Sequence, residues 1–423
     1  MLSLSLNSHL LISSPLIPSQ HRTGFNPSSI ICKSRQFTER GLQFDVGDSF
    51  FRQESATGRD LGVLSAALFK ESNGSLRVLD GLCGCGIRSL RYLVEAEADF
   101  VLANDANEDC RRVIEGNLSQ VSRGSGDGSR WVVTHTDANR LMAEYYLQRD
   151  YFDLIDIDSF GSDSSFLRTA ISTVKLDGLL YVTSTDGFSS GGHRPQHSLA
   201  AYGAYIRPMP YSNEVGLRML IGGAVREASV FGYRVEPLFS YYSYHGPVFR
   251  VMLQVKRGKL PDTNMYNFIS YCTECGDSNT IGWDQLGQIR CPCNTNVPHS
   301  LIVSGPLWTG PLHQTSHLKK MLNLAERWGW ISNSSGKSLK KLLELMIDES
   351  DPNLPFGYLK MDEVSRRVKL NSPSIEAVMN TLHKVGYAAS RSHITPKAIK
   401  TNCRMAECLK IVEELQQCSR PVL

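Results

Sequence analysis

The sequence predicts an α/β protein built on a doubly wound, mainly parallel sheet of seven strands, and three observations support this prediction. Between residues 76 and 258, short apolar and β-branched runs alternate with segments of helical period, as in proteins whose helices cover both faces of a parallel sheet. Five strands that alternate with helices come first, and one long helix follows the fifth strand. The last two strands are joined tightly through His245-Gly-Pro247, so we expect them to pair antiparallel.

Each element is predicted from its own pattern of residues. The predicted strands are 77–83, which ends in a glycine turn, and 100–104, 131–135, 152–157, 179–183, 233–244 and 249–256. The predicted helices are 87–97, 108–118, 139–147, 166–174 and 214–231. Seven strands that end in an antiparallel pair are the plan of the class I methyltransferase fold, which we therefore expect.

The length of the chain predicts more than one domain, because 423 residues exceed the size at which single cores stop growing. We predict a methyltransferase domain over 39–258, a Cys-rich zinc-type segment over 259–311 and a basic C-terminal domain over 312–423. The net charge of +3 does not by itself indicate a nucleic-acid partner. No stretch approaches the roughly 20 apolar residues of a membrane span, so we expect no membrane association.

Residues 1–38 are expected to be a transit peptide or a disordered tail. This stretch contains nine serines and no acidic residue, the first acid being Glu39. Beginnings that are Ser-rich, acid-poor and weakly basic are typical of organelle transit peptides. A plastid is favoured because few arginines are present, and a mitochondrion is the alternative.

A glycine turn after the first predicted strand indicates a cofactor pocket. Gly84 and Gly86 follow Asp80 and let the backbone approach a ligand before the helix begins. A dinucleotide-binding turn would need a third glycine where Ser89 stands. The spacing therefore favours S-adenosylmethionine over a dinucleotide.

Two acids at the ends of the next strands strengthen this prediction. Asp105 ends the second strand, where a carboxylate accepts hydrogen bonds from both ribose hydroxyls of a nucleoside. Asp137 ends the third strand, where the adenine amino group is expected. The alternative for each acid is a helix N-cap, a position that Asp favours.

The fourth strand ends in a segment that predicts the catalytic residues. Asp158 is expected to accept hydrogen bonds from a substrate amine and to disperse the positive charge of the transition state. Phe160 is expected to stack on a base flipped out of its helix. The alternative is that Asp158 caps the next helix and that Phe160 belongs to the core.

With these motifs in place, the sequence resembles the tRNA guanine-26 N2-dimethyltransferase family from about Glu39 nearly to residue 410. The matching blocks are Arg59-Asp60-Leu61, Gly86-Ile-Arg88-Ser-Leu-Arg91, Asp158-Ser-Phe-Gly161, Thr185-Asp186, Tyr202-Gly203, Glu214-Val-Gly-Leu-Arg218, Gly386-Tyr-Ala-Ala-Ser-Arg-Ser-His393 and Ile399-Lys-Thr401. The resemblance implies S-adenosylmethionine ligands at Arg59, Arg88, Asp105, Asp137 and Ala138. It also implies transfer of one or two methyl groups to guanine N2 in tRNA.

The sequence departs from the family pattern in three places. Ser159 replaces the family's proline beside Asp158, Phe51-Arg-Gln53 differs from the usual Tyr-Asn-Pro, and the loop 187–193 differs from the usual one after the fifth strand. These departures concern the position of the substrate and the choice between mono- and dimethylation. They leave two alternatives open, a methyltransferase of another nucleic-acid or protein amine and a catalytically weakened RNA-binding relative.

Four cysteines predict a structural zinc site. Cys272 and Cys275 form a Cys-x-x-Cys pair, and Cys291 and Cys293 follow as Cys-x-Cys. The second pair is one residue shorter than usual. Three outcomes therefore remain open: four thiolates bind zinc, His299 replaces one of them, or the metal is lost.

The C-terminal region has a local excess of positive charge. Residues 360–410 contain ten Lys or Arg against four acids, which suits contact with phosphates. The helical patterns 361–369 and 374–385 resemble a winged helix, and a solvated helix face is the alternative. The expected partner is tRNA, and no protein partner is predicted.

Overall fold

The computed structural model describes residues 34–124, 128–162, 164–243, 245–258, 265–293, 299–331 and 334–418. The predicted transit peptide therefore lies outside the described residues, except for its last five positions. The chain from Ser34 onward forms one compact unit.

The described elements are numbered in chain order. The strands are β1 (Gln36–Glu39), β2 (Leu42–Asp45), β3 (Arg77–Asp80), β4 (Phe100–Asn104), β5 (Trp131–Thr134), β6 (Phe152–Asp158), β7 (Val174–Ser184), β8 (Tyr233–Ser243), β9 (Val248–Arg257), β10 (Tyr266–Cys272), β11 (Ser278–Ile281), β12 (Leu301–Trp308), β13 (Leu359–Lys360), β14 (Ala389–Arg391) and β15 (Ala398–Thr401). The α-helices are α1 (Ala56–Asn73), α2 (Ile87–Val94), α3 (Arg111–Leu118), α4 (Ala138–Gln148), α5 (Ser164–Thr173), α6 (Gly187–Ser190), α7 (Pro195–Tyr202), α8 (Ser212–Val230), α9 (Thr315–Arg327), α10 (Ser334–Asp348), α11 (Met361–Val368), α12 (Ile375–Val385) and α13 (Met405–Cys418).

The predicted seven-stranded sheet is confirmed. Its strand order is β5-β4-β3-β6-β7-β9-β8. The pairs among β3 to β7 are parallel, whereas β9 pairs antiparallel with both β7 and β8. The strand order changes direction at β3, whose neighbours in the sheet are β4 and β6. Sheets of this kind bind ligands at this point, beside the carboxyl ends of the strands.

The limits of several elements differ from the predicted ones for local reasons. The strand predicted over 77–83 ends at Asp80, because the backbone turns from Gly81 onward. The helix predicted over 87–97 ends at Val94, and the residue Glu97 has a positive φ of 51°. The strand β7 begins at Val174, five residues earlier than predicted, directly after the preceding helix, which ends at Thr173.

The helix α1 was not predicted, and it connects the N-terminal and C-terminal parts of the fold. Its residues Leu61 and Leu64 share one hydrophobic core with Leu318 and Met321 of α9. All four side chains are almost fully buried. The helix α9 therefore covers part of the α/β unit, and the predicted domain boundaries remain predictions.

Two small sheets follow the large one. The strands β10, β11 and β12 form an antiparallel sheet in the order β11-β10-β12, and the C-terminal strands form another in the order β13-β15-β14. The helices α11 and α12 precede the hairpin β14–β15, and the winged-helix interpretation of this region remains a prediction. Within the described residues, no helix is long and apolar enough to cross a membrane.

Candidate active site

The glycine turn connects β3 to α2. Gly84 and Gly86 have φ angles of 56° and 79°, which residues with a Cβ rarely adopt. A Cβ at position 86 would also lie only 3.2 Å from the side chain of Ile114. Both glycines are therefore required by the backbone of the turn that leads into α2.

Asp105 is bound to this turn and is not a helix cap. Its Oδ2 accepts a hydrogen bond from the Gly84 amide at 2.9 Å, and its Oδ1 accepts one from Asn107 at 2.9 Å. Asn107 instead caps the short 3-10 turn that follows. The structure thus brings Asp105 and the glycine turn together, and its contact with the ribose of the cofactor stays a prediction.

Asp137 does cap a helix. Its Oδ1 accepts a hydrogen bond from the amide of Arg140 at 2.9 Å, at the start of α4. Ala138 is the first residue of that helix and is buried. The alternative role considered for Asp137 is therefore observed, and a role in holding adenine stays a prediction for both residues.

Arg88 links the turn to the predicted catalytic strand. It lies on α2, and its Nη1 is 2.8 Å from Asp156 Oδ2 while its Nη2 is 2.5 Å from Asp158 Oδ2. Arg88 and Asp156 are almost fully buried, whereas 27% of the Asp158 side chain is exposed. One guanidinium therefore holds two carboxylates at the carboxyl end of β6.

One further carboxyl group, that of Asp80, is fully buried like that of Asp156. Burial and the neighbouring charge of Asp156 raise the pKa of Asp80 to about 8, although Ser89 donates a hydrogen bond to it at 2.7 Å. Burial also raises the pKa of Asp156, against the opposing charge of Arg88. Tyr92 donates a hydrogen bond to Asp156 at 2.7 Å. Two adjacent buried acids thus share less than two negative charges at neutral pH.

Asp158 is different, because cations surround it. Burial alone would raise its pKa, but the positive charges of Arg88, Arg250 and Arg59 lower the pKa to about 2. Arg250 Nη2 lies 3.8 Å from Asp158 Oδ1, beyond hydrogen-bond distance. Asp158 is therefore ionised at neutral pH, and Oδ1 remains available as an acceptor.

Phe160 does not belong to the core, because 69% of it is exposed. Its ring meets that of Phe50 edge to face, with centroids 4.6 Å apart, and 58% of Phe50 is exposed as well. Ser159, which stands in place of the family's proline, donates a hydrogen bond to the Thr183 carbonyl at 3.1 Å. The serine thus attaches the loop between Asp158 and Phe160 to β7.

Arg59 is buried under the N-terminal hairpin and pairs with Glu39. It also donates a hydrogen bond to the Arg52 carbonyl at 3.0 Å and lies over the ring of Phe51, 4.9 Å from its centroid. Burial lowers the pKa of Arg59, while Glu39 raises it. The structure places Arg59 near the site, and a contact with the cofactor remains a prediction.

Sequence reasoning missed Phe50, Asp156 and Arg250. Asp156 had a signal, since it alternates with Asp158 along β6 and so points to the same face of the sheet. Phe50 and Arg250 had none, because each reaches the site from a distant part of the chain. Phe50 precedes α1, and Arg250 lies on β9 opposite Thr183.

The four predicted metal ligands do come together. The Sγ atoms of Cys272, Cys275, Cys291 and Cys293 lie within 4.8 Å of one another. The Cys272–Cys293 distance is 3.8 Å and the Cys275–Cys291 distance is 3.4 Å. His299 is not part of this group, so the short Cys-x-Cys pair does not prevent a four-thiol arrangement.

Two of the ten basic residues in the C-terminal region form ion pairs with acids of the protein itself. Lys400 is buried and lies 2.6 Å from Glu214 Oε2. Arg367 pairs with Glu363 and donates a hydrogen bond to the Glu274 carbonyl at 2.7 Å. The local charge excess that faces solvent is therefore smaller than the sequence indicated.

The order of the large sheet, its antiparallel last pair and the position of the glycine turn define the chain as a class I methyltransferase. The chain belongs to the N2,N2-dimethylguanosine tRNA methyltransferase family, whose model matches residues 36–413.

Individual relatives agree with this assignment. The chain is 31% identical to a tRNA (guanine(26)-N(2))-dimethyltransferase of Pyrococcus abyssi over 380 residues, which are 88% of this chain and 94% of that protein. The corresponding enzyme of Saccharolobus solfataricus is 27% identical over 373 residues, with 87% and 91% covered. The solved structure of Trm1 from Pyrococcus horikoshii with S-adenosyl-L-methionine superposes with a TM-score of 0.76 at 27% identity and covers 89% of this chain and 99% of that one.

Proposed function

We propose that this chain transfers one or two methyl groups from S-adenosylmethionine to N2 of guanine 26 in tRNA. The observation that carries the proposal is the state of Asp158. It is an ionised carboxylate whose Oδ2 is fixed by Arg88 and whose Oδ1 accepts no hydrogen bond from the described residues, beside an exposed aromatic ring. The names of the relatives support the choice of tRNA and of guanine 26.

The free oxygen of Asp158 suits a weakly nucleophilic amine. The lone pair of guanine N2 is delocalised into the ring, and a carboxylate that accepts an N–H hydrogen favours the pyramidal form whose lone pair can attack. S-adenosylmethionine supplies the electrophilic methyl group when it is bound. Because Arg88 holds Oδ2 at 2.5 Å, we assign this acceptor role to Oδ1. The fixed negative charge also stabilises the positive charge that develops on the nitrogen.

Phe160 and Phe50 provide the surface for the base. Two exposed rings 4.6 Å apart at the carboxyl end of β6 are unusual for a folded protein, which buries most large aromatic side chains. A base that has left its helix gains stacking energy on such rings. We therefore propose that Phe160 and Phe50 together receive the target guanine.

The cofactor residues fit the ligand by their chemistry. The two positive-φ glycines form the turn that leads into α2, and Asp105 is fixed to this turn by the Gly84 amide. A carboxylate beside a glycine turn suits the ribose of S-adenosylmethionine. We assign Arg59, Gly84, Gly86, Arg88, Asp105, Asp137 and Ala138 to this pocket.

Zinc fits the cysteine cluster. A tetrahedron of thiolates with Zn–S distances of about 2.3 Å has sulfur–sulfur distances of roughly 3.8 Å, close to the 3.4 Å and 3.8 Å observed. We propose a structural zinc ion held by all four cysteines.

The localisation of the protein is proposed from sequence alone. The serine-rich, acid-free start of the chain supports import into plastids, with mitochondria as the alternative. Fusion of residues 1–38 to a fluorescent protein in plant cells tests this proposal. Fluorescence in plastids is expected, and an exclusively mitochondrial or cytosolic signal would contradict it.

The activity itself is tested by nucleoside analysis. A tRNA transcript with guanine at position 26 is incubated with the protein and S-adenosylmethionine and then digested for mass spectrometry. We expect N2-methylguanosine or N2,N2-dimethylguanosine, which disappears when position 26 carries adenine. Methylation of the adenine-26 transcript to the same extent would show a different target, and an unmodified guanine-26 transcript would favour the weakened RNA-binding relative.

A further inference from the structure

The segment between β7 and α8 carries a positive, aromatic surface that the catalytic assignment leaves unused. From Gly187 to Asn213 the sequence contains no Asp or Glu. The segment contributes two arginines and two histidines that are all exposed: His193, Arg194, His197 and Arg207. We call residues 187–207 the basic loop.

The basic loop also exposes large aromatic side chains. Phe188 is 60% exposed and Tyr205 is 41% exposed. The guanidinium of Arg194 lies over the ring of Phe188, 4.8 Å from its centroid. A ring and a guanidinium arranged in this way form a platform on which an unpaired base can stack, next to a charge that can meet its phosphate.

No described acidic side chain pairs with the two arginines of the basic loop. Among the residues that the structure describes, neither Arg194 nor Arg207 forms an ion pair. Asp186, the nearest preceding acid in the sequence, is buried and caps α6 by accepting a hydrogen bond from the Ser189 amide at 3.0 Å. Of the two histidines, His197 has its Nε2 3.5 Å from Asp186 Oδ2. The positive charge of the two arginines is therefore not neutralised by an acid of the segment 187–213, which contains none.

Backbone contacts hold the basic loop in place. Gly192 has a φ of 73°, and a Cβ there would lie 2.4 Å from the carbonyl carbon of Arg207. Tyr205 exchanges two backbone hydrogen bonds with Gly305 of β12, at 3.0 Å and 3.1 Å. The amide of Arg207 donates to Ser304 Oγ at 2.8 Å. At Gly192 the backbone that leads to Arg194 therefore packs directly against the backbone of Arg207.

The basic loop begins at the catalytic end of the sheet. Thr185, two residues before it, donates a backbone hydrogen bond to the Gly161 carbonyl at 2.8 Å, and its Oγ1 accepts one from the Gly161 amide at 2.7 Å. Gly161 directly follows Phe160. An RNA strand whose base stacks on Phe160 would therefore leave the site next to the basic loop.

We propose that the basic loop binds the RNA strand that flanks the methylated guanine. Arg194 and Arg207 contact its backbone phosphates, and Phe188 and Tyr205 stack on an unpaired neighbouring base. This inference rests on the proposed function. It assigns strand binding beside the pocket to residues 187–207, in addition to the basic C-terminal region.

The test removes both charges and measures tRNA affinity against salt concentration. Arg194→Ala/Arg207→Ala should weaken binding of the tRNA transcript and reduce the salt dependence of log K by about 1 to 2, since each phosphate contact contributes roughly 0.7 to 0.9. Phe188→Ala should weaken binding about tenfold, the usual effect of losing one stacked base. Affinity for S-adenosylmethionine should not change in either variant.

The control is a second double variant with the same loss of charge. Arg168 and Arg327 are 62% and 60% exposed and lie on α5 and α9, outside the basic loop. The inference is overturned if Arg194→Ala/Arg207→Ala keeps the affinity and salt dependence of the unchanged protein, or if Arg168→Ala/Arg327→Ala loses as much. If the unchanged protein binds tRNA through the basic loop but does not methylate it, the proposed function fails while this surface stands.

Discussion

The guanidinium Nη2 of Arg88 lies 2.5 Å from Oδ2 of Asp158, and its Nη1 lies 2.8 Å from Asp156. Arg88 is the second residue of α2, the helix after the glycine turn, and Asp158 is the last residue of β6. The residue that the resemblance assigns to the cofactor therefore also fixes the orientation and charge of the predicted catalytic acid. In the proposed function, the cofactor pocket and the substrate pocket therefore share this ion pair.

This ion pair predicts how methyl transfer depends on pH. The pKa of Asp158 is lowered to about 2, so the carboxylate becomes protonated only as the pH falls through that value. Between pH 5 and pH 8, the single-turnover rate of the unchanged protein should show no titration of Asp158. Arg88→Met removes one of the charges that lower the pKa, and its rate should begin to fall at a higher pH on the acid side. The profile is measured with saturating S-adenosylmethionine. Identical acid limbs in both proteins would contradict the role of Arg88.

Asp105→Ala should weaken S-adenosylmethionine binding by about 2–3 kcal/mol, because hydrogen bonds to a charged acceptor are the strong ones. Part of this loss comes from a weakened glycine turn, since Asp105 also accepts a hydrogen bond from the Gly84 amide. Isothermal titration measures the affinity, and Asp109→Ala, an exposed acid nearby, is the matched control. An unchanged affinity in Asp105→Ala would remove this residue from the cofactor pocket.

Replacing either ring of the Phe50–Phe160 pair should reduce activity toward tRNA without changing the affinity for S-adenosylmethionine. Phe50→Ala and Phe160→Ala should each reduce kcat/KM for tRNA by an amount equivalent to about 1–3 kcal/mol, the usual value for a stacked base. Phe160→Tyr should keep most of the activity, since its ring still stacks. Affinity for S-adenosylmethionine should stay constant in all three proteins. A variant that loses cofactor affinity instead would place its ring in the cofactor pocket.

The cysteine cluster predicts one zinc ion per chain by metal analysis. Chelation should unfold the region around residues 272–293, because thiolate sites of this kind supply folding free energy. Cys275→Ser should reduce the zinc content and the thermal stability, whereas Cys110→Ser, at a cysteine outside the cluster, should retain the metal. Purified protein without stoichiometric zinc would overturn the metal assignment.

Two buried histidines predict a loss of stability in acid. Burial lowers the pKa of His313 and of His317 to about 4. Both are neutral in the folded chain, and the amide of Ser240 donates a hydrogen bond to Nδ1 of His313. Below the unfolded pKa of about 6.5 the unfolded chain binds protons that the folded chain does not, so stability falls between pH 6.5 and 4 by about 1.4 kcal/mol per pH unit for each histidine. Denaturant unfolding at several pH values measures this slope, and His317→Gln should reduce it. A stability that is flat over this range would contradict the buried neutral state.

The strands, the glycine turn and Asp105 could be predicted because their signals are local. Apolar periodicity marks β4 and β6, and the glycines mark the turn by their backbone requirement. Phe50 and Arg250 could not be predicted, since their contacts with Phe160 and Asp158 exist only after distant segments have packed. The role of Lys400 was also hidden, because its partner Glu214 lies in α8. From composition alone, Lys400 was included in the surface charge, whereas in the folded chain it forms a buried ion pair with Glu214.

Single-turnover methyl transfer by Asp158→Ala tests the central claim most directly. The assay uses a tRNA transcript with guanine at position 26, and filter binding of the same tRNA and titration of S-adenosylmethionine accompany it. We expect both ligands to bind and the rate to fall about 100- to 1000-fold, the usual cost of removing one preorganised group. Asp158→Asn should keep partial activity, since its carbonyl still accepts one hydrogen bond. Wild-type turnover in Asp158→Ala would contradict the catalytic role, and loss of tRNA binding with an unchanged rate in the bound complex would make Asp158 a structural residue.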